Sequence, residues 1–275
     1  MKKNIFFQIL IFIFIILCCQ SETPFELEND SVVVQAYLYA NEPVQDIRLT
    51  KMLPLDVYED LKMPPINNAD IKLIKDGQSY PLDLSPGDSG YYHYSADDLT
   101  VEANDLFTLQ INYQGQVIAA ETTVPLEPQG VKLSSSTLKV PTIEDIFQGG
   151  MDPQDMAVTV TWDNEEEDLF YVTTELLEEN PEPIDSPLGG NRFRNITFPP
   201  TRRSETIIGP FNLSYYGIYL VKVYRVNQEY DDLYETQDQD SRNLNEPLSN
   251  IENGLGIFSA FHSNTDSLFL EVSKY

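Results

Sequence analysis

Leu106 to Val124 reads LFTLQINYQGQVIAAETTV. Phe107, Leu109, Ile111 and Tyr113 recur at every second position, so an extended chain puts all four on one face. Gln114-Gly115 then interrupts the alternation. A two-residue hairpin turn needs positive φ, which Gly adopts without steric cost. Asp105–Tyr113 and Gln116–Val124 are therefore expected as two antiparallel strands with one buried face. Pro125 and Pro128 close the unit, because Pro has no N–H to give a ladder.

The same grammar runs upstream. Val32, Val34, Ala36 and Leu38 share one face of a strand over 32–39. Val44 to Met52 is a second candidate strand. Ala69 to Lys75, Asp76-Gly77 and Gln78 to Leu82 make another hairpin. Tyr91 to Tyr94 is a short aromatic strand. Between Pro54 and Pro65, Leu55, Tyr58 and Leu61 have helical spacing, and the prolines keep that helix to a turn or two.

Downstream, residues 126–141 bridge to a second unit. Thr142-Ile-Glu-Asp145 is expected to cap a short helix ending at Gly149-Gly150. Met156 to Trp162 alternates, Glu165-Glu-Glu-Asp168 is a charged turn, and Leu169 to Leu177 is the next strand. Residues 178–200 are rich in proline and are expected as a long loop. Thr206 to Phe211 leads into Leu213-Ser-Tyr-Tyr-Gly-Ile-Tyr219-Leu-Val221-Lys-Val223. That stretch resembles the E–F corner of fibronectin type III domains, in which a Leu precedes the corner and a Tyr opens the next strand. The resemblance implies that the Tyr219 hydroxyl bonds back to the corner backbone. It also implies that Trp162 is a core residue. Gln228 to Asn253 departs from the pattern as an insertion, before 255–258 and 267–272 complete the sheet. The fold class expected is all-β: two β-sandwich domains, over 31–127 and 128–275.

The first residues read as an export signal. Lys2 and Lys3 precede an apolar run, Ile5 to Leu17, broken only by Gln8. The run is shorter than the ~20 residues that span a bilayer and matches a secretory signal core. Ile16-Leu-Cys-Cys19 resembles the bacterial lipobox. That resemblance places cleavage after Cys18 and a diacylglyceryl thioether on Cys19, leaving residues 19–30 as an acidic tether. Cys18 and Cys19 are the two cysteines of the chain. The processed protein is thus expected to have no disulfide and no thiol chemistry.

Charge excludes one class of partner. The 17 Lys and Arg, less Lys2 and Lys3, stand against 44 Asp and Glu, which gives −29 after processing. Such a surface repels nucleic-acid phosphates. Sixteen Tyr, fourteen Phe and eighteen Pro with few Lys fit a β-rich exported chain.

Catalytic signals are sparse. There are two histidines, His93 and His262. A zinc site wants more His or Cys at ligand spacing. His93 reads as part of an aromatic strand and His262 as part of a turn. Asp238-Gln-Asp240-Ser-Arg242 opens like a calcium loop. Asn243 and Ser249 occupy the positions that need Gly and Glu, which excludes an EF-hand and leaves an irregular site open. Asp231-Asp232 and Glu165–Asp168 are paired carboxylates, expected as solvated turns among so many acids. Asn195-Ile-Thr and Asn212-Leu-Ser match a glycosylation pattern that has no bearing in a bacterial lipoprotein. No nucleophile elbow and no phosphate loop occurs. Asn250 to Phe258, NIENGLGIF, lacks the helix that a phosphate loop needs. Its glycines are expected to make a turn at Asn253-Gly254 and a bulge or close backbone approach at Gly256, seating the insertion on the second sandwich. The chain is expected to be no enzyme and to carry no metal or cofactor.

The lipobox, the strand over 32–38, ADIKLIKDGQSYPL, LFTLQINYQGQVIAAETTVP, VTVTW and EPLSNIENGLGIFSAF together resemble a family of Bacteroidota outer-membrane lipoproteins, domain of unknown function (DUF) 4249. The resemblance implies a lipid-anchored accessory or binding subunit beside a TonB-dependent outer-membrane transporter. It transfers no catalytic residues. Gln20-Ser21-Glu22 and the acids beyond imply display at the cell surface. The rival reading is a structural or envelope-assembly lipoprotein that docks through its insertion on another outer-membrane protein.

Overall fold

The computed structural model describes residues 31–52, 63–141, 144, 156–184, 193–237 and 249–275. Two β-sandwiches share one sheet. In the first, β1 (Val32–Tyr39), β2 (Asp46–Lys51), β5 (Asp83–Leu84) and β6 (Tyr91–His93) face a second layer. That layer is β3 (Asp70–Lys75), β4 (Gln78–Pro81), β7 (Leu106–Tyr113) and β8 (Gln116–Thr123), in the order β4-β3-β7-β8. Both expected hairpins form. Asp76 and Gly77 have φ of 52° and 78°, and Gln114 and Gly115 have 50° and 84°, so each turn has positive φ at both positions. Phe107, Leu109, Ile111 and Tyr113 are all buried, as are Val32, Val34, Ala36 and Leu38 opposite them.

The second sandwich sets β9 (Lys132–Leu133), β11 (Val158–Thr161) and β14 (Glu205–Ile208) against a larger layer. That layer holds β10 (Thr137–Val140), β12 (Leu169–Leu176), β13 (Asn195–Thr197), β15 (Gly217–Val226) and β17 (Leu268–Lys274). Trp162 is buried against Phe170, with ring centroids 5.5 Å apart. The Tyr219 hydroxyl donates to the Tyr215 carbonyl at 2.9 Å, which is the corner bond expected of this stretch. Burial first, offset in part by that bond, pushes the Tyr219 hydroxyl up to about 12. Residues 178–200 are not all loop. β13 pairs with β12, and Ile184 is buried in the core.

The main correction concerns β16 (Leu255–Ser263). It does not simply complete the second sandwich. It lies parallel to β1 over seven residue pairs, from Val33↔Leu255 to Tyr39↔Phe261. Phe258 and Ala260 enter the first core. Its last residues, Phe261 to Ser263, pair with Val226 to Tyr224 of β15. A ten-stranded sheet therefore runs from β5 to β10 without a break, and the division expected between residues 127 and 128 is crossed by a strand. The insertion expected over 228–253 opens with helix α1 (Gln228–Gln237). It returns to the first sandwich, not the second. His262 lies in β16 and is buried rather than in a turn. The helical turns expected over 54–65 and 142–150 lie, save Pro64, Pro65, Met63 and Glu144, outside the described residues, as do Cys19, the tether up to residue 30, and Asp238 to Arg242.

Candidate functional site

NIENGLGIF seats the start of β16 on the first sandwich, and the end of the same strand, Phe261 to Ser263, carries the sheet on to β15 of the second. The Asn250 side chain closes on β16: its Nδ2 donates to the Phe258 carbonyl at 2.7 Å, and its Oδ1 accepts from the Phe258 N–H at 3.0 Å. Glu252 and Ala119 exchange backbone bonds, and Asn253 Nδ2 reaches the Val117 carbonyl at 3.0 Å. Asn253 turns the chain at φ 57° and Gly256 follows at φ 111°. A Cβ on Gly256 would strike the Val34 backbone. The close approach expected there is real, and its partner is β1.

Beside this join sits an aromatic cluster. Tyr37, Tyr39, Tyr171, Tyr224 and Tyr230 surround Phe261, with Tyr171 stacked on Tyr224 at 4.9 Å and Tyr230 edge-on to Phe261 at 4.9 Å. The rings come from β1, β12, β15 and α1, so one cluster ties both sandwiches and the helix together. Burial, then neighbouring charges and hydroxyls, pushes Tyr39 and Tyr171 well above the usual tyrosine value. Burial first also lifts Tyr224 and Tyr230 to about 12. Asn227 and Glu229 pin the start of α1 to β8 through Thr122 and Thr123. His262 Nδ1 lies 2.9 Å from the Pro125 carbonyl, and the Thr265 N–H donates to Glu127 at 2.9 Å; the Thr265 side chain first, and this N–H second, hold the Glu127 carboxyl below its usual range.

The structure does not assemble the sparse catalytic candidates. His93 is on β6, 3.0 Å from Ser85 Oγ, and three strand spacings of roughly 14 Å separate it from β16 and His262. Asp231 and Asp232 are bridged by the Gln228 amide. Asp168 pairs with Arg225, which also lies 3.5 Å from Glu166, so the charged turn anchors the end of β15. Among the described residues no group of three or more His, Cys, Asp or Glu could hold a metal ion. Among them also, no helix is long and apolar enough to cross a membrane.

The family model described as domain of unknown function (DUF4249) matches residues 21–267. The chain belongs to this family. No curated protein matches the DUF4249 chain. Among solved structures it is similar to domains A168–A170 of titin, at 11% identity and a TM-score of 0.22 over 72% of this chain and 61% of that one. It is also similar to the FN1–FN3 domains of chicken CNTN1, at 10% identity and a TM-score of 0.26 over 72% and 59%. It spans less than two thirds of either structure.

Two surfaces of the DUF4249 chain stand out, one by exposed apolar side chains and one by its concave shape. The first is the end of the second sandwich farthest from residue 31. β1 and β16 run away from that residue and β15 runs back toward it, so Gly217 to Tyr219 lie at the far end, after roughly 50 Å of strand path. Leu177, Phe193, Phe211 and Ile218 are exposed there, Phe211 at 84%. The second is a cleft of about 450 Å³ between the β1–β2 turn and the loop from Tyr94 to Glu102. No local signal in the sequence marks this cleft. Asn41-Glu-Pro43 and SADDLTVE are rich in turn-forming residues, and nothing local to either says that the two loops meet.

Proposed function

We propose that the chain is a lipid-anchored outer-membrane accessory lipoprotein, held by Cys19, that binds a barrel partner of the TonB-dependent transporter class in nutrient capture or uptake. The observation that carries this reading is the exposed apolar end of the second sandwich. Isolated apolar side chains on a surface are ordinary, but several gathered at one end are a feature of contact surfaces. The lipobox supports the anchor, and the family resemblance supplies the class of partner. The reading is one of binding rather than catalysis, and its setting is the outer membrane at the cell surface. The join between the sandwiches favours it, because a continuous sheet carries the far end at a fixed offset from residue 31.

Mild detergent extraction of the full chain tests this. A large outer-membrane barrel is expected to copurify, and Phe211→Asp with Ile218→Asp is expected to release it without altering the far-ultraviolet dichroism. Cys19→Ala is expected to move the chain from the membrane to the soluble fraction. A chain that extracts alone under conditions that preserve other barrel complexes would overturn the partner. Unchanged fractionation of Cys19→Ala would overturn the anchor.

A further inference from the structure

We infer that the cleft between the β1–β2 turn and the Tyr94–Glu102 loop binds an organic cation with an apolar body, of the kind a lysine or arginine side chain presents. At about 450 Å³ it lies within the range of small-ligand sites. Its walls are fixed. The Asn41 N–H donates to the Val101 carbonyl at 2.8 Å, and the Tyr94 N–H donates to the Val44 carbonyl at 2.9 Å. Tyr94 is braced edge-on against Tyr80 at 5.6 Å, and its hydroxyl bonds to Asp98. The floor is apolar, because Val44 and Val101 are buried and Leu99 packs against the same core.

The mouth carries a different chemistry. Glu42, Asp97 and Glu102 line it, all three exposed. Lys75, close by, is spent on Asp105 and the Thr100 carbonyl. Among the described residues no ion pair reaches Glu42, Asp97 or Glu102. An apolar floor rewards burial of a methylene stem, and a carboxylate rim rewards a charged head held near water. Long basic side chains divide themselves in this way. An anion would meet both the rim and the −27 of the whole chain. A bare metal ion would gain nothing from the floor. The selected ligand is a cation attached to a hydrocarbon.

Calorimetric titration of the full chain in detergent tests this. Agmatine serves as the free cation, acetyl-Leu-Arg-amide as the peptide, and acetyl-Leu-Leu-amide as the neutral control. The cationic probes are expected to bind and the neutral one not. Glu42→Gln, Asp97→Asn and Glu102→Gln are each expected to weaken binding about threefold, the size of one solvent-exposed ion pair. Leu99→Ala, which leaves the charge intact, is expected to weaken it by a smaller factor. Equal binding of agmatine and the peptide assigns the cleft to free organic cations. Binding of the peptide alone assigns it to a basic chain segment. The inference is overturned if the neutral control binds as well, if the three amide variants bind like the parent, or if neither cation binds at millimolar concentration. It stands apart from the barrel partner, because copurification and titration fail independently.

Discussion

Gly256 shows how little room the join leaves. Its φ of 111° is a conformation that side-chain-bearing residues rarely adopt, and the Val34 carbonyl fills the space where a Cβ would go. Val34 and Gly256 are register partners, so the missing side chain is what lets β16 lie against β1 at all. Gly256→Ala is expected to destabilise the fold by about 2–4 kcal/mol, combining backbone strain with a backbone clash that no rotamer relieves. Gly115→Ala, whose Cβ would meet open space, is expected to cost only the strain of its positive φ, about 1–2 kcal/mol. Urea denaturation of both variants checks the order. Equal losses would mean that the contact with Val34 yields. NIENGLGIF already spoke for a turn and a close approach, because Asn and Gly tolerate positive φ and only Gly leaves the space that a Cβ would fill. The identity of the strand it approaches was not legible, since it lies more than two hundred residues upstream.

At the scale of elements, legibility follows sequence distance. The hairpins β3–β4 and β7–β8 could be read because alternation and a two-residue turn are local signals. The corner before β15 could be read because Tyr219 and Tyr215 are four residues apart. β16 could be read as a strand, yet its partners could not. A parallel pairing leaves no turn signature, and both faces of β16 are buried, so its pattern does not say which core it enters. The same gap hid the cleft, whose walls come from loops some fifty residues apart. The pairing has a consequence for fragments. Residues 31–127 alone would lack Phe258 and Ala260 in their core and would leave the β1 edge that faces β16 unpaired. A fragment ending at Glu127 is expected to be unfolded or aggregated, and one in which 249–263 is joined to that fragment by a flexible linker is expected to fold. Dispersed amide resonances from the shorter fragment would show that the first sandwich is independent of β16.

The molecule as a whole should behave as one cooperative unit, and its tyrosines give a way to see this. Tyr37, Tyr39, Tyr171, Tyr224 and Tyr230 bridge the two sandwiches, and burial first raises every one of them. A raised folded-state value means that the unfolded chain ionises first, near the ordinary 10. Their contribution to stability is therefore complete below about pH 10 and is lost as pH rises, through about 12 for Tyr224 and Tyr230 and higher for Tyr39 and Tyr171. The unfolding temperature is expected to hold steady from neutral pH to about 9 and to fall beyond 10. Trp162, the single tryptophan, sits in the core of the second sandwich and reports on that sandwich alone, whereas far-ultraviolet dichroism reports on both. Because the tyrosine cluster and the shared strand β16 couple the two cores, fluorescence and dichroism are expected to move together at every pH. Tyr39→Phe with Tyr171→Phe removes two of the raised groups without emptying the cluster, so the fall above pH 10 should become shallower. A Trp162 transition that separates from the dichroic one would show two independently melting sandwiches, and the continuous sheet would then not act as the coupling element that its register makes it.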